Sequence, residues 1–209
     1  MSRPRWPTLI TILAVLGLER ALPDALRIGP SWLFPSVALA FAMAHFAFYR
    51  RKQHRLSVIF GFAVDGLLSL QLIISLILLI QALPARRQTP QALLVSAACL
   101  WATNILVFAL WYWRLDAITS DRRRRGGYTD GAFLFPQMTL SDASPASAGS
   151  RDWSPNFIDY VFLAFNTSTA FSPTDAPVLA RWAKGLMMIQ SLLSLLIVAL
   201  LAARAVNIL

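Results

Sequence analysis

Apolar residues in this chain gather into long runs separated by short charged clusters, at 8–26, 32–49, 58–83, 92–113 and 178–203. A helix needs about 20 residues to cross a bilayer's hydrocarbon core, so each run is a candidate span. The first is the least clean, because Glu19, Arg20 and Asp24 crowd its second half; paired or snorkelling charges make it a short or tilted span. The second stops at Arg50, Arg51 and Lys52, and the third closes at Pro84. The fourth ends in Trp111, Tyr112, Trp113 and Arg114, the aromatic and cationic residues that anchor a helix at a membrane interface. The pattern predicts an all-α fold, a polytopic transmembrane helical bundle of about five spans.

One further apolar stretch, 157–171, precedes the last span and turns polar at Asn166, Thr167, Ser168 and Thr169 before Ser172, Pro173, Thr174 and Asp175 break it. Fifteen helical residues reach about 22 Å, short of a roughly 30 Å core. Two readings fit: a re-entrant half-helix ending in a polar loop, which a membrane tolerates only where protein or water lines it, or a helix lying on the surface. The organisation expected is a four-span region at 1–118, a polar and partly flexible cytoplasmic loop at 119–155, rich in Ser, Ala, Pro and Gly over 141–154, and a half-helix, polar loop and last span at 156–209.

Composition agrees. The 209 residues are 57% hydrophobic and 14% charged, with mean hydropathy +0.58, where a soluble domain has about 25% charged residues. The net charge of +9 lies between apolar segments rather than along one face, and no recognition motif accompanies it, so nucleic acid is not the expected partner. With the N-terminus cytoplasmic and the early segments all spanning, twelve Lys and Arg fall on the cytoplasmic side against four opposite. Arg122, Arg123, Arg124 and Arg125 then face the cytoplasmic leaflet, where anionic lipid headgroups are their expected contact. The N-terminal run lacks a small-x-small cleavage site and reads as an uncleaved first span.

The candidate chemistry lies in polar residues within the apolar runs. Asp65 shares a stripe with Gly61 and Ser69; a carboxylate there costs about 2.5–3.5 kcal/mol on the insertion scale and must face protein or water. It reads either as an ion or proton contact or as a hydrogen-bonded packing group. His45 sits toward the same membrane face on the preceding helix, again as a packing residue or as one half of a proton relay with Asp65. Asn104, beside the small residues Ser96, Cys99 and Thr103, and Gln190, beside Ser191 and Ser194, make stripes that either hold helices together or line a pathway. The lone Cys99 excludes an internal disulfide and a thiolate metal cluster. HExxH, GxSxG and phosphate-cradling glycine motifs are missing from the sequence, so neither an enzyme nor a metal or cofactor is expected.

Gly126-Gly127, Phe135-Pro136, Asp159-Tyr160, Ala164-Phe165, the segment 170–175 and the ending 203–207 resemble a pattern in uncharacterised bacterial membrane proteins grouped as a domain of unknown function. That resemblance covers 126–209 and implies a small multi-helix protein of the bacterial inner membrane, without an assigned activity. The same region resembles the pore module of potassium channels in its order of span, loop, half-helix, polar loop and span. Asn166 to Thr169 stand where that family has its threonine run, and Asp175 and Pro177 where it has residues after the filter. The filter glycines are replaced by Phe171, Ser172 and Pro173, so its carbonyl-lined geometry is not implied. The expectation is a pore-loop, channel-like protein for passive permeation of ions or small solutes, as a monomer or homo-oligomer. Asn166, Thr167, Ser168, Thr169, Ser172 and Thr174 would line its loop and Asp175 its mouth. The alternative is a non-catalytic accessory or assembly protein that binds a partner or anionic lipid through the basic loop.

Overall fold

The computed structural model describes residues 6–27, 29–82, 89–125, 131–139, 153–169 and 176–206. Among them are six α-helices and no strand: α1 (Trp6–Ala21), α2 (Leu33–Arg50), α3 (His54–Ala82), α4 (Pro90–Arg125), α5 (Phe157–Thr169) and α6 (Arg181–Val206). The fold is all-α, as the apolar runs predict. Four stretches, Leu33–Arg50, His54–Ala82, Gln91–Thr119 and Arg181–Ala203, are long and apolar enough to cross a membrane. The protein is a membrane protein. Its long helices turn large apolar side chains outward, with Met188 67% and Leu192 60% exposed on α6; lipid accommodates such faces where water would not. At 16 residues α1 extends about 24 Å, less than a hydrocarbon core.

Contacts divide the chain into two compact units, 1–107 with 196–209, and 108–195. In the first, α1 ends at Ala21 and a single 3-10 turn, Asp24–Leu26, follows. Helix C-termini leave carbonyls without partners, and here the Arg27 guanidinium donates to the carbonyls of Leu22 and, at 3.1 Å, Arg20. The turn seats on α3, where the Ser75 hydroxyl donates to the buried Leu26 carbonyl at 3.0 Å. The turn between α2 and α3 passes through Lys52 at φ 58°, a left-handed conformation that lets the next N–H, that of Gln53, reach back to the Phe48 carbonyl at 2.9 Å. Phe60 then stacks on Phe48 at 5.2 Å between ring centroids and lies tilted against Phe41 at 5.7 Å.

The second unit contains the end of α4, all of α5 and the start of α6. The fourth apolar run ends at Trp113, yet α4 continues to Arg125, so the first part of the expected polar region is helical. Charge stops an apolar run without stopping a helix, and no Gly or Pro intervenes before Gly126. Helix α5 starts at the cap that Asn156 provides: the Asn156 Oδ1 accepts from the N–H of Ile158 at 2.8 Å, while Asp159 reaches back to the N–H of Asn156 at 2.7 Å. This reciprocal arrangement satisfies donors at the helix start that have no intrahelical partner.

Candidate functional site

The polar residues of the second unit converge on the inner end of α5. Gln190, fully buried on α6, is the hub. Its Oε1 accepts from the Tyr112 hydroxyl of α4 at 2.5 Å, and its Nε2 donates to the Ala164 carbonyl at 2.8 Å and to Ser168 Oγ at 3.0 Å on α5. One turn further along α6, the Ser194 hydroxyl donates to Ser168 Oγ at 3.0 Å, and Ser191 donates to the Thr167 carbonyl at 3.3 Å. One carboxamide thus joins three helices with both of its ends. A polar group in a low-dielectric interior is costly unless so satisfied.

At the outer end of α5 a second anchor holds the chain where it leaves helical geometry. Asp116, buried on the extension of α4, accepts from the Tyr160 hydroxyl at 2.5 Å and from the N–H of Ala132 at 2.6 Å. Residues 132–134 then pair with 177–180. Leu134 N–H donates to the Pro177 carbonyl at 2.9 Å, Leu179 N–H donates to the Ala132 carbonyl at 2.8 Å, and Phe133 forms an isolated antiparallel bridge with Val178. The apolar patch at 133–136 fills the space between: Phe133 lies fully buried, 5.4 Å from Tyr112, 6.2 Å from Tyr160 and 6.1 Å from Trp182, in edge-on ring contacts.

The depth of α5 follows from these contacts. Gln190 and Ser194 lie nine and thirteen residues past Arg181, about 14 and 20 Å along a span that ends at Ala203. The last turn of α5 therefore meets α6 near the middle of its apolar length.

Of the residues singled out from sequence, Thr167 and Ser168 are buried in this knot, the Thr167 hydroxyl donating to the Leu163 carbonyl at 2.8 Å. Thr169 is exposed and its hydroxyl donates to the Phe165 carbonyl at 2.9 Å. Asn166 lines a cleft on another face of α5. Ser172, Thr174 and Asp175 lie outside the described residues, as do the side chains of Arg122 to Arg125. In the first unit His45 is buried, with Nδ1 2.5 Å from the Ser57 carbonyl and 3.3 Å from Ser57 Oγ. Asp65 is fully buried eight residues further along α3, about 12 Å beyond Ser57, and Ser69 donates to its backbone carbonyl at 2.8 Å. Asn104 is buried on α4.

Three residues of the knot carry no warning in the sequence pattern. Tyr112 reads as one of the interface aromatics, Tyr160 as part of an apolar run, and Asp116 as the beginning of a polar loop. The spacing Tyr112, Asp116, four residues apart and on one helical face, is the signal available once α4 is continued past Trp113.

Among the described residues no group of three His, Cys, Asp or Glu is placed to hold a metal ion. Compared with protein-family models, characterised proteins and solved structures, the chain matches none.

Proposed function

We propose that the chain is a channel-like protein of the bacterial inner membrane for passive permeation of ions or small solutes, with α5 as its re-entrant half-helix. The observation that supports this reading is the junction of Thr167 and Ser168 with Gln190, Ser191 and Ser194: a helix lying on the surface would touch only the end of α6, whereas α5 reaches its midpoint. A half-helix that stops inside the membrane directs its last carbonyls and the negative end of its dipole toward the mid-plane, which favours a cation there. Its polar end, with Thr169 and the segment 170–175 that follows, needs water or protein around it. The distribution of Lys and Arg supports a cytoplasmic N-terminus and a half-helix that dips in from the cytoplasmic face.

The test is flux from proteoliposomes containing the purified chain. The expected result is dissipation of a monovalent cation gradient above protein-free vesicles, altered several-fold by Thr169→Val and Asp175→Asn. A wild-type protein that dissipates no ion or solute gradient, while cross-linking from positions 122–125 traps one defined partner, would replace this reading with that of an accessory protein.

A further inference from the structure

The outward face of α5 borders a cleft of about 260 Å³ that the knot does not use. Asp159, Phe162, Leu163 and Asn166 stand in its wall at positions i, i+3, i+4 and i+7, one face of the helix, and Phe135, Pro136, Gln137 and Ala176 complete the lining. The wall is mainly apolar and aromatic, and Asp159 is its one charged side chain among the described lining residues. The Asp159 carboxylate spends Oδ2 on the N–H of Asn156, and Oδ1 accepts no hydrogen bond among the described residues. Asn156, at the start of the helix beside the carboxylate, is itself exposed. Asn166 lies about 10 Å deeper along α5.

We infer that this cleft binds a small organic ammonium ion with an apolar body. The carboxylate attracts a single positive charge, the rings of Phe135 and Phe162 accept a cationic or aromatic group, and the amides of Asn166 and Gln137 offer polar contacts. An anion would meet a like charge and no cation in the described wall. The size fits as well: at roughly 30 Å³ for each water displaced, the space holds about nine waters, room for a small ring with an ammonium arm. A bare metal ion would leave most of it unfilled. The inference does not depend on permeation, since a ligand can bind here whether or not the protein conducts.

The experiment is calorimetric titration of the full chain in detergent micelles, with phenethylammonium as the probe and 2-phenylethanol as its neutral counterpart, each corrected against empty micelles. Saturable binding at one site per chain is expected for the ammonium, and no saturable binding for the alcohol. Asp159→Asn keeps an oxygen for the Asn156 N–H and removes the charge, so affinity should fall by up to about fivefold. Asn166→Phe, which fills the cleft from the same face and leaves the cap untouched, should abolish saturation. It decides the matter even if the Asp159 variant fails to fold. Equal affinity for the ammonium and the alcohol, or unchanged ammonium binding in the Asn166→Phe protein, would overturn the inference.

Discussion

The α2–α3 hairpin and the region 108–195 solve the same solvent problem by different means. The hairpin closes on ring faces, Phe48 and Phe41 against Phe60, with His45 set against Ser57 near its turn. The region 108–195 is tied by Asp116 at one end of α5 and by Gln190 at the other. The difference tracks backbone geometry. Two continuous helices satisfy their own peptide groups through most of their length, so ring contacts can carry the packing there. Where the chain leaves helix, at 131–135 and at the inner end of α5, peptide groups need outside partners: Asp116 takes the Ala132 N–H, and Ser191 reaches the Thr167 carbonyl.

That contrast makes an ordered set of expectations. Asp116→Ala should cost most, about 3 kcal/mol, because it leaves both the Tyr160 hydroxyl and the Ala132 N–H without their acceptor. Reversible unfolding in micelles gives the magnitude, and accelerated hydrogen exchange at Ala132 gives the place. Gln190→Leu removes bonds to Tyr112, Ala164 and Ser168, each worth about 0.6 kcal/mol on average between membrane helices, so about 2 kcal/mol is expected. His45→Leu, in the hairpin, should cost about 1 kcal/mol in the same assay. Gly66→Ala on α3 should be neutral or stabilising by up to about 1 kcal/mol, since a methyl group there meets no atom within 4 Å and alanine is the better helix former. The contrast breaks if His45→Leu proves as costly as Asp116→Ala.

The four long helices were legible because crossing a bilayer demands length and apolarity together, and both can be counted along a sequence. A short helix before the last span was legible for the opposite reason: the apolar stretch expected at 157–171 is too short to cross, and α5 occupies Phe157–Thr169 of it. What joins these elements was not. Gln190 meets Ala164 across 26 residues and Tyr112 across 78, and no periodicity reports a partner at such distances. Asp116 was hidden by hydropathy itself, since charges beyond Trp113 look like the start of a loop while the helix beneath them continues. For the small polar stripe on the last span, helix association and pathway lining were both open readings; Gln190 and Ser194 bond to a short helix whose place along α6 no residue count announces.

The unbroken course of α4 has a mechanical consequence. Within the second unit its residues 108–125 make a rod of about 27 Å, whose tip runs twelve residues beyond the apolar run that ends at Trp113. Asp116 grips α5 from within that same rod, nine residues before Arg125. A protein or charged surface that pulls on the tip would act as a hand on a lever, and the torque would arrive at the first turn of α5 without passing through any joint.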